Sequence, residues 1–212
     1  MTVKNHFLIA AILTMALLAS CSKDSTSPTG SGGNADTTYY PMKVGYWWEY
    51  KGAFGSSVNR TSITKETTIS GKSYFVQVSS SDTTIPQYFR YENSKVYSIG
   101  PNNPYGIVKD SEFVFLDFTA PLGTTNVYQG YSLGNSARKT VSLENKGVTY
   151  TAGNGSVYKD AIVYRIIMDV YLGGAWGNVS DNYYYYAKGV GLVGSKQSGV
   201  LTITDITNYS FK

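Results

Sequence analysis

Apolar and polar residues alternate almost everywhere between Tyr39 and Lys212. A period of two places successive side chains on opposite faces of an extended chain, which is typical of half-buried β-strands. No window of helical length in this region has an apolar stripe at the 3.6-residue period of a helix. The short, regularly spaced segments predict an all-β sandwich or barrel of roughly eleven strands.

Four turn signals predict where neighbouring strands join. Asn93-Ser94, Gly173-Gly174 and Ser198-Gly199 each separate two alternating segments, and residues 145–147 (Asn-Lys-Gly) separate residues 138–144 from residues 148–152. Glycine and asparagine adopt the backbone conformations that tight turns require. We therefore expect a hairpin at each of the four positions.

The first residues of the chain predict a lipoprotein signal peptide. A polar start with Lys4 precedes an apolar run over residues 7–18, which is too short to span a bilayer as a helix. The run ends in Leu-Ala-Ser-Cys at residues 18–21, which resembles the bacterial lipobox. We expect residues 1–20 to form a helical signal peptide that is cleaved between Ser20 and Cys21. Acyl chains on Cys21 would then anchor the protein, because two or three chains give stable membrane attachment.

Residues 21–38 predict a disordered tether between the lipidated cysteine and the β domain of residues 39–212. This segment is rich in Ser, Thr, Gly, Pro, Asn and Asp, and it cannot bury enough apolar surface to fold. Ser22 follows the cysteine, where an aspartate would favour retention in the inner membrane of enterobacteria. We expect an outer-membrane location, with the domain facing either the periplasm or the cell exterior.

Composition excludes several kinds of chemistry from the part of the chain after the signal peptide. The one histidine is His6, and the one cysteine is Cys21. A Ser-His-Asp triad, a Cys-His pair, a disulfide and a typical zinc site therefore cannot form there. The net charge of +4 includes no basic run, so nucleic acid is not an expected partner. We predict no catalytic residue, metal or cofactor, and paired carboxylates remain the alternative route to a hydrolase.

Two aromatic clusters are the candidate binding residues. Trp47 and Trp48 are adjacent in one strand, and residues 183–186 are four consecutive tyrosines in another. Because neighbours in a strand face opposite ways, one tryptophan should fill the core and the other should face a ligand or partner. Likewise, one pair of tyrosines should pack inside, and the other should be exposed or line the groove. The candidate contact residues are Trp47, Trp48, Tyr183, Tyr184, Tyr185 and Tyr186.

Four segments resemble the TapB-like family of small bacterial lipoproteins. They read YYPMKVGYWWEY at residues 39–50, DFTAPLG at residues 117–123, TAG with YKDA between residues 151 and 161, and YYYAKGVGLV at residues 184–193. The family is distantly similar to the LolA, LolB and LppX group. The resemblance implies a single strongly curved antiparallel sheet or unclosed β-barrel whose concave face can hold acyl chains. It brings no catalytic residues.

Together these features predict a non-enzymatic, lipid-anchored envelope protein that binds a hydrophobic ligand, a glycan or a protein partner. The first alternative is an accessory structural subunit of a surface or secretion assembly. A carboxylate-dependent surface hydrolase is the second. A groove lined with apolar side chains favours lipid, whereas an exposed aromatic patch favours glycan or protein.

Overall fold

The computed structural model describes residues 37–52, 58–100, 111–132, 134–198 and 202–211. The predicted signal peptide, cleavage site, Cys21 and most of the predicted tether lie outside the described residues. The described part of the chain contains no helix that is long and apolar enough to cross a membrane.

Twelve strands account for most of the described residues. They are β1 (Trp47–Gly52), β2 (Val58–Ile69), β3 (Lys72–Ser79), β4 (Asp82–Glu92), β5 (Lys95–Ile99), β6 (Phe113–Asp117), β7 (Thr125–Ser132), β8 (Asn135–Thr151), β9 (Val157–Leu172), β10 (Ala175–Ala187), β11 (Gly191–Gln197) and β12 (Thr202–Ser210). All twelve belong to one antiparallel sheet, which confirms the all-β prediction.

The order of the strands shows that the sheet is rolled up. The order across the sheet is β6-β5-β4-β3-β2-β1-β12-β11-β10-β9-β8-β7, so β6 and β7 occupy its two edges. A flat sheet of this size would be about 53 Å wide at the usual strand spacing. The seven residues 118–124 join β6 to β7 and reach at most about 28 Å. The two edges must therefore lie close together.

The edges meet through side chains, without the backbone ladder that would close a barrel. The rings of Phe113 on β6 and Tyr128 on β7 have centroids 4.7 Å apart, and the Tyr128 hydroxyl donates to the carbonyl of Val114. Tyr164 on β9 donates to the carbonyl of Asp117 at 2.6 Å and accepts from its amide at 3.0 Å. The predicted unclosed β-barrel is thus confirmed, with tyrosine hydroxyls satisfying part of the free edge of β6.

Residues from opposite walls of the rolled sheet form an interior core. Phe89 and Val96 come from β4 and β5, whereas Ile162, Tyr164 and Tyr186 come from β9 and β10, and all belong to one buried cluster. Because these strands are not neighbours in the sheet, their side chains can meet only across its interior. The chain reaches this interior at Tyr40, whose ring lies 5.6 Å from that of Phe89 and 6.1 Å from that of Tyr186.

The hairpin predicted at residues 145–147 is wrong. A single strand, β8, continues through these residues and pairs with β7 on one side and β9 on the other. Three register shifts between Leu143 and Tyr150 bend the strand. The bent end packs with β1, β2, β11 and β12 in a second buried cluster. The Asn-Lys-Gly signal therefore marks a bulge region instead of a turn.

Candidate functional site

A small cavity lies between the segment around Tyr40 and the interior wall of the sheet. Its volume is about 80 Å³. Its lining residues are Tyr40, Pro41, Trp48, Tyr50, Thr61, Gln77, Tyr186, Gly191 and Leu192. Pockets that bind drug-sized ligands occupy about 300–1,000 Å³. The cavity is thus large enough for a few water molecules or the end of an apolar chain.

The polar side chains around the cavity carry no charge, and those of Tyr40, Trp48 and Tyr50 donate hydrogen bonds within the chain. The Trp48 indole donates to the carbonyl of Val190 at 2.6 Å, and the Tyr50 hydroxyl donates to the carbonyl of Leu192 at 3.1 Å. The Tyr40 hydroxyl donates to Gln77 Oε1 at 3.3 Å. Burial raises the pKa of both the Tyr40 and the Tyr50 hydroxyl, which keeps them protonated. The cavity therefore presents no charge to a ligand.

The structure brings together only two of the six candidate contact residues at this cavity. Trp48 and Tyr186 line it from β1 and β10, and both side chains are buried. Trp47 lies on the other face of β1, where the Arg60 guanidinium stacks over its ring at 4.2 Å. The prediction that one tryptophan fills the core is confirmed for Trp48.

The four tyrosines alternate between faces as predicted. Tyr184 and Tyr186 pack with the interior core, and Tyr183 and Tyr185 lie on the opposite face of β10. The Tyr185 ring lies 4.5 Å from the Tyr150 ring, and Arg165 lies over Tyr183 at 5.6 Å. None of the four is fully exposed. Each has a structural contact within the chain, and their role in binding stays a prediction.

One lysine on the inner face of the sheet has no ion-pair partner among the described residues. Lys139 on β8 lies opposite Tyr128 and Met168, and its ammonium is 5.8 Å from the centroid of the Phe115 ring. Burial lowers the pKa of this ammonium. A lysine in this position can attract an anionic group to the inner face.

The end of the β9–β10 hairpin is an exposed apolar surface that sequence reasoning missed. Leu172, Trp176 and Val179 are 55%, 43% and 59% exposed, and Tyr171 packs edge-on against Trp176 at 5.4 Å. We call these four residues the distal patch. A sequence signal for it exists, because residues 170–179 contain no charged side chain.

Both faces of the hairpin carry part of the distal patch. Tyr171 and Trp176 form a cross-strand pair and therefore share one face, whereas Leu172 points to the other. At the base of the patch, Arg138 lies over the Trp176 ring at 4.9 Å and binds the Asp169 carboxylate at 2.7 Å. Asn178 donates to the same carboxylate at 3.1 Å. A charge-balanced polar rim thus borders an apolar tip.

The distal patch lies far along the sheet from Tyr39. Tyr39 stacks on Phe118 at 5.2 Å and donates to the carbonyl of Asp160, near the start of β9. We call the end of the sheet marked by these three residues the proximal end. Leu172 is the last residue of β9, twelve positions after Asp160, and twelve residues of extended strand span about 40 Å. The distal patch and Tyr39 therefore lie at opposite ends of the sheet.

Comparison with protein-family models and with curated protein sequences gives no match. Two solved structures are similar over 82% of this chain, each with a TM-score of 0.49. One is a predicted lipoprotein from Parabacteroides distasonis, 16% identical and covered over 99% of its length. The other is a predicted exported protein with a YmcC-like fold from Bacteroides fragilis, 11% identical and covered over 100%. These similarities carry no argument about function, and the resemblance to the TapB-like family stays a prediction.

Proposed function

We propose that this protein is a non-enzymatic, lipid-anchored protein of the bacterial outer membrane that binds another envelope protein through its distal patch. The observation that carries the proposal is the exposure of Leu172, Trp176 and Val179 on an uncharged hairpin end. Exposed apolar patches bordered by polar side chains are typical of protein interaction sites. The predicted anchor at Cys21 would place this patch at the end of the domain that faces away from the lipid.

A protein partner explains more of the distal patch than a glycan does. Sugar rings stack on one face of an aromatic platform, and here the apolar side chains lie on both faces of the hairpin. The hairpin end also exposes backbone N–H and C=O groups, which a protein can pair with. An accessory subunit of a surface or secretion assembly would bind its neighbours through the same patch. That alternative is therefore one form of the proposed protein binding.

Site-specific photo-cross-linking in intact cells tests the proposal. Benzoylphenylalanine replaces Val179 in one strain and Leu122 in another, because both residues are apolar and 59% exposed. Leu122 lies in the link between β6 and β7, four residues after Phe118 of the proximal end. We expect a discrete, protease-sensitive adduct from position 179 alone, and its loss when Leu172→Ser and Trp176→Ser are added. Equal labelling from both positions, or no adduct from position 179, would contradict the proposal.

Lys139 favours a second candidate function, the binding of an amphiphilic acid inside the rolled sheet. An anionic head group on this ammonium would leave the tail against the side chains of Phe115, Tyr128 and Met168. Native mass spectrometry of the full chain tests this candidate, with Lys139→Gln as the comparison. Co-purified acidic lipid that is lost in the variant would support it. A wild-type chain without bound lipid would remove this candidate.

A further inference from the structure

The tip half of β10 has an edge with no partner among the described residues. β11 pairs with β10 from Asn182 to Ala187, and Ser198 donates to the carbonyl of Asp181. Ala175 to Asn178 and Ser180 pair with β9 and with no other described strand. In an antiparallel strand, alternate residues point their N–H and C=O groups away from the neighbour. About half of residues 175–180 therefore present backbone donors and acceptors to solvent.

Within the part of the chain that the structure describes, this edge lacks most of the features that keep strand edges from pairing. Natural proteins protect edges with charged side chains, prolines, bulges or a covering segment. Residues 175–180 read AWGNVS, with no charge and no proline. One register shift, between Asn178 and Ser180, is the exception. The edge is thus chemically open to another extended chain.

Gly177 provides an independent observation at the middle of the same segment. A Cβ at this position would meet nothing nearer than the Val170 carbonyl at 3.9 Å, and its φ is not in the left-handed region. The fold of this chain therefore does not require glycine there. Gly194 on β11 is the opposite case, because a Cβ there would overlap the Tyr150 hydroxyl. Mid-strand glycine often marks a bulge or the close approach of another backbone or a ligand, and Gly177 itself pairs regularly with Val170, outside the register shift between Asn178 and Ser180.

The location of the proximal end argues against a second copy as the occupant. A two-fold axis pairs the edges of two identical strands antiparallel, which inverts one molecule relative to the other. β10 runs from the distal patch towards the proximal end, so the two proximal ends would lie at opposite ends of the pair. Two copies anchored in one membrane through Tyr39 need their proximal ends on the same side. A segment of a different protein has no such constraint.

From the open edge, Gly177 and the location of the proximal end, we infer that residues 175–180 bind an extended, uncharged segment of a partner protein by β-strand addition. The inference rests on the proposed function, since it specifies how the distal patch recognises its partner. The partner strand hydrogen-bonds to the free edge of β10, and its apolar side chains contact Trp176 and Val179. The backbone hydrogen bonds between the two strands provide the affinity. The exposed side chains of β10 favour partner segments that are rich in β-branched and aromatic residues.

The test uses a blocked peptide of alternating threonine and valine, acetyl-(Thr-Val)3-amide, and the isotope-labelled full chain in detergent. We expect saturable changes in the amide NMR signals of Ala175 to Ser180, and slower hydrogen exchange at those amides. The matched control is the same peptide with esters in place of its alternate amides, which keeps the side chains and removes backbone donors. We expect the ester analogue to bind at least about tenfold more weakly.

Two results would overturn the inference. One is an unchanged signal at residues 175–180, and the other is equal binding of the ester analogue. A change in these signals with protein concentration alone would assign the edge to a second copy and would also overturn it. The two experiments fail separately. A cross-link at position 179 without peptide binding would contradict β-strand addition and leave the proposed function standing. Peptide binding without a cross-link in cells would contradict the proposed function.

Discussion

Trp47 and Trp48 show how one position along a strand changes the role of a residue. Trp48 is 4% exposed and donates to the Val190 carbonyl, whereas Trp47 lies on the other face beneath Arg60.

Trp48→Phe removes the hydrogen bond and leaves a cavity. We expect it to lower the free energy of unfolding by about 2 kcal/mol. Trp47→Phe, the matched control, should change it by less than about 0.5 kcal/mol. Urea unfolding of the full chain measures both, and equal effects would contradict the assignment of faces.

Glu112 gives the fold a specific dependence on pH. Burial raises the pKa of its carboxyl, but hydrogen bonds from Tyr74, Arg90 and Lys72 outweigh burial and lower it from 4.5 to about 2. The unfolded chain therefore takes up a proton between pH 4.5 and 2 that the folded chain resists, and stability falls as the pH drops through this window. The stabilisation is fully present above pH 4.5.

We expect Glu112→Gln to make the loss of stability between about pH 4.5 and 2.5 less steep than in the unmodified chain. The variant should also be less stable at neutral pH, because Arg90 and Lys72 lose the carboxylate that they bind at 2.6 and 3.0 Å. Urea unfolding at a series of pH values measures both effects. Glu66→Gln removes an exposed carboxylate and serves as the control. A wild-type slope in the Glu112 variant would show that this carboxylate does not contribute.

At the scale of elements, two tyrosines replace the missing strand beside β6. Tyr164 satisfies both the amide and the carbonyl of Asp117 from a side chain that is buried. Tyr164→Phe removes the hydroxyl that the Asp117 amide donates to and leaves the Asp117 carbonyl with the Ala120 amide at 3.2 Å, which we expect to lower the free energy of unfolding by about 1–3 kcal/mol. Hydrogen exchange at the Asp117 amide should become faster. Tyr131→Phe changes an exposed hydroxyl and is the control, and an unchanged stability in Tyr164→Phe would contradict this account of the edge.

The elements were largely predictable from the sequence, and so were the turns at Asn93-Ser94 and Gly173-Gly174. Period-two alternation identified most strands because each has one buried face, and Asn93-Ser94 forms the predicted turn with both residues at positive φ. Gly147 also has positive φ, but there it belongs to a bend within β8. A local signal cannot distinguish a turn from a bulge, because both use the same backbone conformation. The sequence signal for β7 is weak, since residues 125–132 alternate with few strongly apolar side chains.

The candidate site was less predictable than the fold. The alternation of Trp47 with Trp48 and of the four tyrosines followed from strand geometry, but their partners came from distant strands. Phe118 reaches Tyr186, and Tyr150 reaches Tyr185, only because the sheet is rolled and β8 is bent. The distal patch is exposed because β11 pairs with β10 only from Asn182 onward. The length of this pairing is set by the register of the two strands and not by a local sequence motif.

At the scale of the whole molecule, the rolled sheet has two unlike ends. At the proximal end, Tyr39 packs on Phe118 and Tyr40 reaches into the interior core. The uncharged hairpin end with Trp176 projects at the other. The distal end thus exposes Leu172, Trp176 and Val179, the apolar side chains through which we propose that the protein binds a partner. An anchor at Cys21 would then turn this surface outward.

Amide hydrogen exchange of residues 170–180 is the most direct test of this account. It compares the protein in isolated envelopes with the same full chain purified in detergent, using mass spectrometry of the peptide that contains these residues. We predict slower exchange in envelopes, where a partner pairs with the β10 edge, and faster exchange after purification. The segment Val141 to Leu143, which contributes to the interior core, should exchange at the same rate in both. Identical exchange of residues 170–180 in the two preparations would contradict the claim that the distal end binds a partner.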